Sequence, residues 1–136
     1  MNELTRYKYE LARMYEHCKD IEDFKKRNHY DYDLMAEDKM VYKACLMSLA
    51  QIGEHCVRLR KKNNTYLNEI EIPYKSIIAV RNIITHGYSQ VDKDIYKDII
   101  QNDIPNIIKT IENQVKSEVL KNPYILYEVE YDDVRQ

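Results

Sequence analysis

The spacing of apolar residues along the chain predicts helices rather than strands. Between about residues 4 and 26, apolar side chains recur three or four positions apart, which is the period of an amphipathic helix. These positions are Leu4, Tyr7, Leu11, Met14, Tyr15, Cys18 and Ile21. A second helix is predicted from about residue 34 to 61, with Asp33 as its N-cap and with Asn63 and Asn64 ending it.

Two further helices follow in the second half of the chain. One is predicted to begin at Pro73, because proline is tolerated at the first helical position. It should end near His86, since Gly87 suits the left-handed conformation that follows many helices. The other should begin near Asp92 and reach about residue 119, with a kink or break at Pro105. Four apolar-faced helices with short connections predict an all-α, antiparallel helical bundle.

The last residues follow a different pattern. Tyr127, Val129 and Tyr131 alternate with Glu128 and Glu130, a period of two. We therefore predict a helical domain over residues 1–120 and a short non-helical tail over residues 121–136, extended or partly ordered. Such a tail suits either a strand that pairs in a dimer or an acidic arm lying across a basic surface.

Composition agrees with one helical domain. The chain has 136 residues but only 2 Gly and 3 Pro, too few turn formers for an all-β sandwich or barrel. It has no apolar run of membrane-spanning length and no signal-like N-terminus, so we expect a cytoplasmic protein without a membrane partner. The three cysteines, Cys18, Cys45 and Cys56, lie far apart and are predicted to be reduced and buried.

Charge alone does not identify the partner. The formal net charge of −2 resides in residues 121–136, and the first 120 residues sum to zero. Basic clusters occur at residues 25–27 and 58–62, where the dipole of a helix C-terminus would favour them without any ligand. His17, His29 and His55 lack the spacing of metal ligands, so we predict neither a metal nor a cofactor.

One segment combines side chains that suit RNA cleavage. Residues 81–88 read RNIITHGY, and the imidazole of His86 could take the proton of a ribose 2′-OH. Arg81 offers forked donors for charge developing on phosphorus, and Tyr88 could donate to a phosphate oxygen or stack on a base. Arg81 and His86 lie about 140° apart on an ideal helix. Their side chains can converge only if the helix end at His86 opens. The alternative is that the two residues occur near each other by chance.

The segment resembles the RxxxxHxY signature of HepT-like proteins of the HEPN superfamily, including the polar Asn82 after the arginine. Residues 72–77, IPYKSI, resemble the IPWxxI entry to that helix, with tyrosine in place of tryptophan. Residues 51–54, QIGE, resemble the IGE step of the second long helix, where Gly53 permits close packing. VD at 91–92 and NDIP at 102–105 resemble elements of the last helix. The resemblance covers about residues 34–115.

What the resemblance implies is a dimeric bundle of HEPN type that cleaves RNA without a metal, as the toxin of a toxin–antitoxin system. The dimer would bring two Arg–His pairs into one cleft, with Arg81 stabilising the transition state and His86 acting as general base or acid. Asn82 would support them. Glu54 would orient Arg81, or would form only an interhelical or surface salt bridge.

The resemblance also implies a partner. A small MntA-like nucleotidyltransferase antitoxin would transfer AMP to Tyr88, placing bulk and negative charge in an anion-binding cleft. Two other functions stay open at this point. The chain could be a non-catalytic binding subunit that partners the nucleotidyltransferase, or a structural dimer whose site has degenerated, which the intact Arg81, His86 and Tyr88 argue against.

Overall fold

Helices form almost all of the backbone in the computed structural model, which describes residues 2–87 and 90–128. The helices are α1 (Glu3–Arg27), α2 (Tyr32–Glu37), α3 (Lys39–Lys61), α4 (Tyr66–Glu69), α5 (Tyr74–His86), α6 (Lys93–Asp98), α7 (Ile104–Gln114) and α8 (Ser117–Lys121). No strand occurs among the described residues, so the all-α prediction is confirmed. None of the helices described has both the length and the apolar character needed to cross a membrane.

Helix α3 lies at the centre, packed between α1 and α5, while α7 packs on α1. The α1–α3 pair is antiparallel, because Asn64 Nδ2 after the end of α3 donates to the Glu3 carbonyl at 3.1 Å, whereas Cys56 Sγ contacts Met14 Sδ at 3.6 Å. The core lies between these four helices; α5 contributes Ile77, Ile78, Val80 and Ile84, each at most 7% exposed, and the other three contribute fully buried side chains. The largest include Leu11, Met14, Ile21, Leu46, Ile52, Leu59, Ile104, Ile107 and Ile111.

Helix α5 also runs antiparallel to α3. Arg81, in the second half of α5, lies against Gly53 of α3. Ten residues further along the chain, the Val91 carbonyl accepts a 3.1 Å hydrogen bond from the hydroxyl of Tyr42, near the start of α3. His86 therefore lies along α3 between the levels of Gly53 and Tyr42.

The second predicted helix is divided in two by Asp38. Its carboxylate accepts from the Met40 and Val41 amides, at 3.0 and 3.1 Å, and caps α3. This local bonding competes with a continuous helix, as aspartate side chains commonly do. The prediction of Asp33 as N-cap was wrong: Asp31 caps α2, and Asp33 instead accepts from Lys97 Nζ at 2.9 Å.

The fourth predicted helix is interrupted twice. Asp92 caps α6 as predicted, but Ile99–Asp103 form a π-helical turn ahead of Pro105. Proline lacks an amide proton and clashes with the carbonyl four residues earlier, and one wider turn accommodates both effects. The kink or break predicted at Pro105 takes the form of this wider turn, through which the backbone stays helical. The continuation to residue 119 is wrong, since Val115 is extended, with φ −125° and ψ 131°.

Both ends of α5 match the sequence pattern closely. Pro73 immediately precedes the helix, and its carbonyl accepts from the Ile77 amide at 3.1 Å. At the other end, Gly87 has a φ of 146°, which glycine adopts without the cost borne by other residues. The helix is regular through His86, and Gly87 follows it as the C-cap.

The C-terminal stretch packs on α1 as far as the structure describes it. Residues 125–128 form a helical turn rather than extended chain. The ring of Tyr127 contacts that of Tyr9, with centroids 4.9 Å apart, and Arg13 Nη1 donates to the Tyr124 hydroxyl at 2.8 Å. Val129 and Tyr131, on which the period of two depended, lie outside the described residues.

The cysteines are free and buried, as predicted. Burial raises the pKa of the Cys56 thiol to about 12 and also raises those of Cys18 and Cys45. Because the thiolate is the reactive form, we expect no cysteine to react with a disulfide reagent in the native protein at pH 8. All three should react in denaturant, as measured by released chromophore. Rapid native reaction of any thiol would contradict this packing.

Candidate functional site

The site begins at the close approach of α3 and α5. A Cβ atom built on Gly53 would lie 2.5 Å from Arg81 Cβ and 2.9 Å from its Cγ. Real Cβ atoms do not approach other carbons this closely, because contact between carbons is most favourable near 3.5–4.0 Å. Glycine at this position therefore allows the stem of Arg81 to rest directly on α3, and the packing role expected for Gly53 is seen in the structure.

The next residue of α3 holds the Arg81 guanidinium. Arg81 Nε donates to Glu54 Oε1 at 2.5 Å, and Nη2 contacts the same oxygen. Both side chains are partly exposed, Arg81 by 26% and Glu54 by 32%. The contact is an interhelical ion pair that also fixes the direction of the guanidinium.

Asn82 holds the other end of the guanidinium. Arg81 Nη1 donates to Asn82 Oδ1 at 2.9 Å. A guanidinium has five N–H donors, and Glu54 and Asn82 engage three of them, which leaves two among the described contacts. Glu54, Arg81 and Asn82 thus form a connected group at the surface, with donors free for an anion.

His86 is the last residue of α5, and it is exposed. Since the helix is regular up to this residue, Arg81 and His86 remain about 7.5 Å apart along the axis and about 140° apart around it. The opened helix end considered from the sequence does not occur. Asn82 lies between the two: it accepts a hydrogen bond from Arg81 and precedes His86 by one turn on the same helical face.

Two further observations concern the predicted site. Tyr88 lies outside the described residues. Helices α3 and α5 also expose apolar side chains. Met40 is 83% exposed, Met47 58% and Ile83 39%. Large exposed apolar side chains next to polar ones are typical of contact surfaces.

A buried polar cluster beside this site was not identified from the sequence. The imidazole of His55, which follows Glu54 in α3, contacts the buried carboxylate of Glu10. The ring of His17 stacks on that of His55 at 5.9 Å, and burial lowers the pKa of His17. The cluster joins α1 to α3 and faces away from Arg81, so we assign it to packing. The only signal for it was a histidine and a glutamate on otherwise apolar faces.

The sequence analysis also missed a cationic surface at the start of α3. Lys39 and Lys43 lie one turn apart there, and Lys93 comes from the start of α6. All three line one cavity. The four-residue spacing of the first two was the available signal. Nothing in the sequence places Lys93, fifty residues later, beside them.

Comparison of the sequence with known proteins finds a matching family model and two relatives. Residues 14–114 match the model of a family described as HepT-like, Ribonuclease HepT-like. The chain is 34% identical over 102 residues to a protein of Methanocaldococcus jannaschii named Putative RNase MJ0127, covering 74% of this chain and 80% of that protein. A second protein of that organism, Putative RNase MJ1380, is 31% identical over 98 residues, covering 71% and 85%. No solved structure matches the chain significantly.

Proposed function

The chain belongs to the HepT-like ribonuclease family, and we propose that it is a metal-independent endoribonuclease whose site contains Arg81 and His86. The proposal rests on how the guanidinium of Arg81 is held. Glu54 and Asn82 fix its position while two of its N–H donors remain unengaged by described residues. A fixed, partly exposed guanidinium suits the charge that develops on phosphate oxygens during transfer.

The reaction needs only proton transfers and charge stabilisation. One imidazole removes the proton of a ribose 2′-OH, and the 2′ oxygen forms a bond to phosphorus. The bond from phosphorus to the 5′ oxygen breaks, and that oxygen takes a proton from an imidazolium. The products are a 2′,3′-cyclic phosphate and a free 5′-OH, with Arg81 binding the phosphate oxygens throughout.

A second copy of the chain completes the site in this proposal. In one protomer, Arg81 and His86 project in directions that differ by about 140°, which is poorly suited to one small phosphate. A symmetric dimer through the α3–α5 surface would place the pairs of both copies around one cleft. Met47 of α3 and Ile83 of α5, both exposed, would supply apolar contact. One His86 would then act as base and the other as acid.

The biological role we propose is that of a toxin neutralised by a nucleotidyltransferase antitoxin. Tyr88, two residues after His86, is the proposed acceptor of AMP. A nucleotide there would add negative charge and bulk beside a site that binds phosphate, so RNA would be repelled and excluded. The support is the matching motif, in a chain of the HepT-like family.

The direct test is cleavage of RNA by the purified protein. We expect cleavage of single-stranded RNA to persist in excess EDTA, because the proposed reaction uses only Arg81 and His86. The products should carry 2′,3′-cyclic phosphate ends, detected by mass spectrometry. Loss of activity in EDTA that returns with Mg²⁺ would contradict metal independence. Tight binding of the nucleotidyltransferase without any cleavage would favour the non-catalytic binding subunit instead.

A further inference from the structure

A cavity of about 440 Å³ opens at the start of α3, outside the Arg81 site. Part of its wall is apolar, formed by Ala36, Tyr42 and Val91. These three residues are at most 8% exposed, so they belong to the core and give the cavity a firm base. An apolar wall beside a few polar groups is the usual construction of a small-ligand site.

The rim of this cavity is cationic. Lys39, Lys43 and Lys93 line it, and Glu37 is the only carboxylate among the described residues that line it. Glu37 is 74% exposed and lies 3.6 Å from Lys93 Nζ, so it offsets one of the three ammonium groups. Among the described residues, Lys39 and Lys43 form no ion pair. The rim therefore carries net positive charge directed towards an apolar wall.

Two aspartates that precede rim lysines in the sequence, Asp38 and Asp92, are already engaged. Asp38 accepts the amides at the start of α3, and Asp92 accepts those of Asp94 and Ile95 at the start of α6. Each carboxylate lies at the positive end of a helix, which compensates part of its charge. They consequently weaken the positive potential of the lysines less than free carboxylates would.

The cavity is connected to the end of α5. The Gln90 amide donates to the Gly87 carbonyl at 3.2 Å, so Gln90 lies beside the residue that follows His86. Such a hydrogen bond holds the two Cα atoms within about 7 Å of each other. Val91 then follows at the cavity wall, held by the Tyr42 hydroxyl at 3.1 Å. The wall of the cavity and the end of α5 are thus close in space, at a distance that a short oligonucleotide spans.

We infer that this cavity is a nucleotide-binding subsite for single-stranded RNA, with the lysine ammonium groups binding phosphate and the apolar wall receiving a base. The inference rests on the proposed ribonuclease function and adds a second contact point for its substrate. Phosphate contacts by lysine position a nucleic acid without reading its sequence. An apolar wall accepts any base, so the subsite should bind RNA with little sequence preference.

The test measures binding separately from cleavage. The probe is a short single-stranded RNA with 2′-O-methyl groups, which has no 2′-OH nucleophile. The variant is Lys39→Gln with Lys43→Gln, which removes two charges without touching Glu54, Arg81 or His86. We expect its dissociation constant to rise on the order of tenfold at about 0.1 M salt. The slope of log affinity against log salt should become shallower by about 1.4, at about 0.7 per phosphate contact in single strands.

The matched control removes two lysines at another cavity. Lys19 and Lys26 line a cavity that also contains Glu22 and Asp23, so its charge is balanced. Lys19→Gln with Lys26→Gln makes the same change in net charge and should leave the affinity and the salt slope nearly unchanged. Equal effects of the two double variants, or no effect of either, would overturn the subsite.

Two added measurements separate this inference from the ribonuclease proposal. Free AMP should displace the probe from the native protein, because a nucleotide suffices for the subsite. Failure of AMP at millimolar concentration would overturn it. Cleavage of ordinary RNA is measured in parallel. If the native protein cleaves RNA while the Lys39 and Lys43 changes leave binding intact, only the subsite fails. If binding depends on these lysines while cleavage is absent, only the nuclease proposal fails.

Discussion

Replacing His86 by alanine is expected to lower the rate of RNA cleavage by about 10² to 10⁴-fold, the usual contribution of a general acid or base. His86 is exposed at the end of α5, so the change should leave the free energy of unfolding almost unaltered. Arg81→Ala is expected to lower the rate by about 10² to 10³-fold, by analogy with the loss of one oxyanion donor. Both rates are measured with the 2′,3′-cyclic phosphate product.

The controls separate chemistry from charge and from folding. Arg27→Ala removes a 75% exposed guanidinium that, among the described residues, pairs only with its helical neighbour Asp23. His29→Asn removes an exposed imidazole at a φ of 56°, a conformation that asparagine tolerates. Neither should change the rate by more than about twofold. Because Arg81→Ala leaves Glu54 without its partner, Arg81→Lys is the gentler variant, and it should remain folded while losing most activity.

Mixing the two inactive chains tests the shared cleft. In a dimer of one Arg81→Ala chain and one His86→Ala chain, the cleft still contains one intact arginine and one intact histidine. We expect coexpressed chains, purified as the mixed dimer by two tags, to cleave RNA faster than either parent but more slowly than the native dimer, because the one remaining imidazole can serve only one of the two proton transfers at a time. Mixed dimers that form and remain as inactive as either parent would contradict a cleft in which the arginine of one protomer works with the histidine of the other.

The sequence predicted the long elements well, because burial of one helical face leaves a clear period. Helix α1 follows its apolar spacing nearly to the residue, and α5 ends where Gly87 predicts. The interruptions are harder to see. Asp38 divides a continuous apolar pattern through bonds to its own backbone. Pro105 predicts a disturbance, but not that a π-helical turn before it would absorb the mismatch.

For the candidate site, too, the sequence shows features that are local in the chain but not contacts between distant residues. The motif identifies Arg81 and His86 as candidates, and the regular helix keeps them at the separation expected for residues five positions apart. The orientation of the guanidinium depends instead on Glu54 from another helix and on a glycine that admits the arginine stem. Contacts across 27 residues leave no period in the sequence, so only the resemblance to a family pointed to them. The lysine cavity had no such resemblance, and it was missed.

Replacing Gly53 by alanine is expected to have the second large effect on the cleavage rate. Gly53→Ala adds a Cβ 2.5 Å from Arg81 Cβ, which forces α5 away from α3 by roughly 1 Å to reach ordinary carbon contact. Alanine favours the helix by about 1 kcal/mol over glycine, while overpacking costs about 1–3 kcal/mol, so the net loss of stability should be small. A catalytic group displaced by about 1 Å can lose about 10² in rate. We therefore expect cleavage to fall about 100-fold with little change in unfolding free energy.

The comparison series makes the cause of that loss visible. Gly53→Leu should destabilise the protein by about 3 kcal/mol or more, because a small shift of the helices cannot accommodate the larger side chain. Gln51→Ala, at an exposed position of the same helix, improves helix propensity without adding a contact and should leave the cleavage rate unchanged. Gly53→Ala with full activity would show that the position of Arg81 against α3 is not what the reaction requires. Activity that falls only in step with stability would assign the glycine to folding alone.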